Sequence, residues 1–96
     1  MVYKIAYKIS AEKSFAKLPK ELQKRIFHSI NRLANNPRPS GVKKLHSAFD
    51  LYRIRIGDYR VIYTIDDGEL KILIITIGHR KDVYGSWSNS LNWLLV

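Results

Sequence analysis

The chain contains no cysteine. That excludes a disulfide framework and a thiolate metal site. Its three histidines are scattered, with no metal-ligand spacing among them, so no metal or other cofactor is expected. The longest apolar run, LKILIITI, carries a lysine and is far too short to cross a bilayer. The N-terminus alternates lysine with apolar residues instead of running apolar, unlike a signal peptide. A cytoplasmic protein that does not engage a membrane is therefore expected. No repeat, linker or low-complexity stretch is present, and residues 1–96 read as one domain.

Acidic residues are also scarce: eight Asp and Glu stand against 17 Lys and Arg, for a net charge of +9. Such a balance favours polyanionic partners. The excess is uneven. Residues 1–49 hold eleven basic and two acidic side chains, whereas residues 50–96 hold six of each. Arg53, Arg55, Arg60 and Arg80 thus lie in a neutral half and are placed charges, not part of a general basic coat. A hydrophobic fraction of 46% with two tryptophans supplies a core for a folded chain.

The leading stretch VYKIAYKI alternates as a strand does, with Tyr3, Ile5, Tyr7 and Ile9 on one face. Ser10 is a candidate N-cap for a short helix carrying Ala11, Phe15 and Leu18. Pro19 ends that helix and can open the next. In the second helix Leu22, Ile26, Phe27, Ile30, Leu33 and Ala34 fall on one arc, with Lys20, Lys24, Arg25, His28, Asn31 and Arg32 opposite. NNPRPSG breaks it. A loop with Lys43, Lys44 and His46 follows.

The stretch LYRIRIGDYRVIY sets arginines among β-formers. Gly57-Asp58 reads as a two-residue hairpin turn with glycine where a type II′ turn requires positive φ. That turn sets Ile56 opposite Tyr59, Arg55 opposite Arg60, Ile54 opposite Val61, Arg53 opposite Ile62 and Tyr52 opposite Tyr63. Arg53, Arg55 and Arg60 then share one face. Like charges directly opposite are destabilising, so the hairpin is either built for a polyanion such as phosphate or carries solvated arginines on an open face. A second hairpin is expected at Asp67-Gly68, with Tyr63 opposite Ile72 and Val61 opposite Ile74. Leu73, Ile75 and Ile77 would then join the arginine face. The order strand, helix, helix, three-stranded meander predicts an α+β fold of two layers.

These segments together resemble the RelE toxins of the RelE/ParE toxin–antitoxin superfamily. The likeness runs through LPKELQKRI, Lys44-Leu45, YRIRIGDYRVIY and IGHRKDVY. It implies a helical hairpin on a mainly antiparallel four-stranded sheet, with a short C-terminal helix. It also implies a ribosome-dependent endoribonuclease that cleaves mRNA in the A site without a metal, by attack of a 2′-OH on the adjacent phosphate. A RelB-like acidic antitoxin, the ribosome and mRNA are the implied partners. Arg53, Arg55, Arg60, Arg80 and Tyr84 match the catalytic set. Arg53 and Arg55 stand where some relatives have lysine.

Arginine, with a pKa above about 12, is a poor general base. His79 becomes the candidate base, because an unperturbed imidazole titrates near pH ~6.5; otherwise it is a polar residue at a strand end. Arg60 would stabilise the phosphate transition state, Arg80 would assist the leaving oxygen, and Tyr84 would stack on a base or accept a proton. Lys43 and Lys44 are candidate RNA contacts. The alternative within the superfamily is a ParE-like toxin that inhibits DNA gyrase by protein binding. The tail GSWSNSLNWLLV sets Trp87 and Leu91 at helical spacing, to cover the sheet or to leave an apolar patch for a partner.

Overall fold

The structure is a computed structural model describing residues 2–46 and 50–79. Five strands and two helices follow in the order β1 (Lys4–Tyr7), α1 (Ile9–Ala16), α2 (Lys20–Leu33), β2 (Lys43–His46), β3 (Leu51–Ile56), β4 (Tyr59–Asp66) and β5 (Lys71–His79). The sheet order is β1-β5-β4-β3-β2. Only β1 runs parallel to its neighbour, β5; the other pairs are antiparallel. The α+β two-layer class is as expected. The strand count is five, not four, because Lys43–His46 pairs with Leu51–Arg53 instead of forming a loop. The expected C-terminal helix lies outside the described residues.

Alternation decides what the sheet buries. Tyr52, Ile54, Ile56, Val61, Tyr63, Ile65, Ile72 and Ile74 pack on the helix side with Ala11, Ile26, Ile30 and Leu33. Helix α2 supplies its share from one stripe at i, i+4 and i+7 spacing. Phe27, expected on that arc, is mostly exposed and meets Phe15 of α1, with ring centroids 6.4 Å apart. Its place is the cleft between the helices, one step off the buried stripe. The helix starts also differ from expectation. Helix α1 begins at Ile9 with Lys8 as N-cap and no side-chain cap. Ser10 does not cap; its hydroxyl donates to the Ile75 carbonyl at 3.4 Å. The Gln23 amide, in turn, donates to the Phe15 carbonyl at the end of α1.

The hairpin of β3 and β4 has the predicted register at every position from Tyr52–Tyr63 to Ile56–Tyr59. Gly57 takes φ +61°, as a type II′ turn requires. The second hairpin does not follow the Asp67-Gly68 expectation. Its closing pair is Asp66–Lys71, so the loop holds four residues. The positive φ falls on Leu70, at 55°, and not on Gly68. An Asp66 side-chain oxygen accepts from the Glu69 N–H at 3.1 Å, and that local bond favours the longer turn over a tight Asp-Gly one.

That shift moves Tyr63 opposite Ile74. Farther along, Ile62 lies opposite Thr76 and Val61 opposite Ile77, so Ile75 is an extra residue, a β-bulge. A bulge inverts the alternation beyond it. Leu73 and Ile75 stay on the arginine side as expected, beside Leu51, Ile62 and Leu45. Ile77 instead joins the helix-side core. The Ser10 hydroxyl reaches the carbonyl of the bulged residue itself, a group that a bulge removes from the regular ladder.

Candidate functional site

The face of the sheet away from the helices has two ends. Near the Leu51 end it is apolar, with Leu51, Ile62 and Ile75 buried and Leu45 and Leu73 partly covered. Toward the Gly57 turn it is cationic. Arg55 lies directly opposite Arg60, and Gly78 lies opposite Arg60 on the next strand. One row back, Lys43, Arg53, Ile62 and Thr76 lie side by side across four strands.

The three arginines differ in exposure. Arg55 is exposed, whereas Arg53 and Arg60 retain only 8% and 5% of their surface. The alternative of solvated arginines on an open face therefore does not hold for Arg53 and Arg60. The Arg60 Nη1 folds back over its own hairpin, donating to the Tyr59 carbonyl at 3.3 Å and the Gly57 carbonyl at 3.5 Å. Its buried Nε finds no acceptor among the described residues. A buried guanidinium opposite a second arginine, held by two long bonds, is an expensive arrangement.

The other candidate residues are sorted by the same register. Lys43 stands beside Arg53 on the cationic face. Lys44 lies opposite Tyr52, on the helix side. It is paired with Asp50 at 3.3 Å and sits 5.6 Å from the Tyr52 ring centre. The Asp50 hydrogen bond raises its pKa. The geometry thus separates the two lysines that the sequence grouped. His79 lies opposite Tyr59 and meets its ring edge-on at 5.6 Å. Tyr59 packs against the helix-side core, so the bulge has turned His79 away from the row of Arg55 and Arg60. Arg80 and Tyr84 lie outside the described residues.

The sequence reading missed a second polar cluster. On the helix side, Arg38 donates to the Tyr52 hydroxyl at 3.1 Å and makes a two-pronged contact with Asp67, at 2.9 and 3.3 Å. The Tyr3 hydroxyl donates to Asp67 at 2.7 Å. Arg38 and then Tyr3 hold the Asp67 carboxyl below its usual range, and Asp67 in turn raises the pKa of Arg38 and of Tyr3. The Tyr63 hydroxyl donates to the Pro37 carbonyl at 2.7 Å, and burial raises its pKa. These contacts fix the loop after α2 to the sheet. The sequence signal was weak: a proline-flanked arginine, and tyrosines on a core-facing alternation.

A family model described as ParE toxin of type II toxin-antitoxin system, parDE, matches residues 3–84. The chain belongs to the RelE/ParE superfamily. Among curated relatives, the toxin RelE of Mycobacterium tuberculosis is 32% identical over 83 residues, covering 85% of this chain and 86% of the relative. A putative RelE-like toxin protein of Escherichia coli is 30% identical over 89 residues, covering 88% and 92%. In three dimensions, a chain of the archaeal RelE-RelB complex from Pyrococcus horikoshii superposes with a TM-score of 0.75 at 33% identity, covering 83% of this chain and 97% of that one. The chain is thus a RelE/ParE toxin of the type II toxin–antitoxin class.

Proposed function

We propose that this RelE/ParE toxin is a ribosome-dependent endoribonuclease that cuts mRNA in the A site. The observation that carries the reading is the in-register apposition of Arg55 and Arg60, with Arg53 and Lys43 in the next row of the same face. Two arginines opposite each other cost stability. A phosphate between them would remove that cost, and guanidinium groups suit its geometry.

In the proposed reaction a 2′-OH attacks the neighbouring phosphate, its proton leaves to a base, and the P–O5′ bond breaks. Charge builds on the non-bridging oxygens. Arg60 would meet it by turning its guanidinium from the Gly57 and Tyr59 carbonyls, to which only two long bonds hold it, and losing one such donor typically costs roughly 10²–10³ in rate. Arg55 and Arg53 would hold flanking phosphates. Arg80 would assist the leaving oxygen and Tyr84 would stack on a base or take the proton, as the resemblance implies. His79 is the weaker candidate for the base, because its ladder partner is Tyr59. Lys43 is the better placed of the two lysine RNA contacts. The reaction proposed here needs no metal.

The partner proposed for the free toxin is an acidic, RelB-like antitoxin. Its support is the +9 charge of this chain and the RelE–RelB complexes of its structural relatives. The ParE description of the matching family supports a second reading, gyrase inhibition by protein binding. One experiment separates the two. The purified chain is added to ribosomes programmed with a defined mRNA, and the 5′ ends of the products are mapped. Cleavage in the A-site codon that falls at least about tenfold with the exposed Arg55→Ala variant is the expected result. Intact mRNA together with inhibition of gyrase supercoiling would decide for the second reading.

A further inference from the structure

On the helix side of β3 an open cleft of about 680 Å³ runs between that strand and the end of α2. Ser29 and Arg32 line it from the helix, Asn36 from the loop that follows, and Ile54, Arg55 and Ile56 from the strand. Strand β2 begins at Lys43, opposite Arg53. The Ile65 N–H donates to the Asp50 carbonyl, so the even-numbered residues of β3 turn their backbone groups toward β4 and the odd ones turn them outward. Arg55 is therefore the first outward-facing residue beyond Arg53, and among the described residues no strand pairs with its outward edge.

Among the described residues, no acidic side chain lines this cleft. Arg32 and Arg55 have no carboxylate partner among the described residues, whereas Arg38, Lys44 and Lys71 are each paired with one. Arg25 extends the same positive edge, its Nη2 lying 3.5 Å from where a side chain on Gly57 would begin. The nearest carboxylate in sequence is Asp58, exposed at the hairpin tip. Positive charge thus continues from the Arg55–Arg60 row, around the edge of β3, into a cleft with an apolar floor and hydroxyl and amide groups on its walls. A flat base can lie on such a floor and bond to such walls while its phosphates meet guanidinium groups.

We propose that this cleft is a nucleotide subsite for single-stranded RNA leaving the arginine face: one base rests against Ile54 and Ile56, within reach of Ser29 and Asn36, and Arg32 and Arg55 hold its phosphates. The proposal rests on the endoribonuclease reading and extends it to the opposite side of β3.

The test uses the whole chain and a single-stranded RNA containing 4-thiouridine. After irradiation, crosslinked peptides are mapped, and affinity is measured by anisotropy at several salt concentrations. Crosslinks in residues 29–36 and 54–56 are expected. Arg32→Ala should weaken binding by about fivefold and lower the salt slope by about one. Lys4→Ala, an exposed cation on the far edge strand, should weaken it less than about twofold. Crosslinks mapping elsewhere, or equal losses from the two variants, would overturn the subsite. So would protection of Arg32 from phenylglyoxal by an acidic peptide but not by RNA, which would assign the cleft to a protein partner. Cleavage on ribosomes with crosslinks outside the cleft would remove the subsite alone. Crosslinks in the cleft without any cleavage would remove the endoribonuclease reading alone.

Discussion

Replacing Arg60 with methionine should make the protein more stable and nearly inactive. The side chain is 5% exposed, lies opposite Arg55, and leaves its Nε without an acceptor among the described residues. Its two hydrogen bonds, at 3.3 and 3.5 Å, are long. Methionine keeps the buried stem and removes the charge. A like-charge cross-strand pair is destabilising, on the ~0.2–1 kcal/mol scale of cross-strand pairs in general, and buried charges are often replaced by apolar residues of similar volume with neutral or favourable effect. The expected gain is therefore about 0.5–1 kcal/mol. Alanine is a different experiment. It also removes two buried methylenes, at about 0.8 kcal/mol each, so Arg60→Ala should come out about 0.5–1 kcal/mol less stable. Urea unfolding measures both variants, and ribosome-programmed cleavage should fall by roughly 10²–10³ in each. A methionine variant destabilised by more than about 1 kcal/mol would show Arg60 to be a structural residue. One that still cleaves at the wild-type rate would refute its catalytic assignment.

Other outcomes follow from the polar clusters. Tyr63→Phe strips the Pro37 carbonyl of its 2.7 Å donor while keeping the ring that stacks on Tyr52, and should cost about 1–2 kcal/mol in urea unfolding. Burial raises the Tyr63 pKa above its unfolded value of 10.0. The stability tied to that hydroxyl's protonation is thus full below pH 10.0 and declines as pH rises toward the folded pKa; Tyr63→Phe should lack this alkaline decline. Asp67 shows the opposite sign. Its folded pKa lies below 3.8, so its contribution is present above that pH and fades as pH falls through the folded value. Asp67→Asn should flatten this acid limb of the stability curve. His79→Ala should change cleavage less than about tenfold and leave the pH–rate profile in place, since the ring faces Tyr59. A lost limb near neutral pH would restore it as the base.

The order of elements and the arginine hairpin were legible in the sequence because both are local. A 3.6-residue stripe marks α2, a period of two marks the strands, and a glycine able to take positive φ at a two-residue turn fixes a register without outside help. That register alone placed Arg55 beside Arg60. Three features were decided only by the tertiary structure. Lys43–His46 became a strand because β3 presented an edge to pair with, although its own residues carried no clear alternation. The bulge at Ile75 gains its side-chain hydrogen bond from Ser10, 65 positions away, and no periodicity within β5 announces it. It alone turned Ile77 to the core and His79 toward Tyr59. The burial of Arg60 likewise follows from how the hairpin is packed, since an alternating pattern fixes which face a side chain takes and not what covers it.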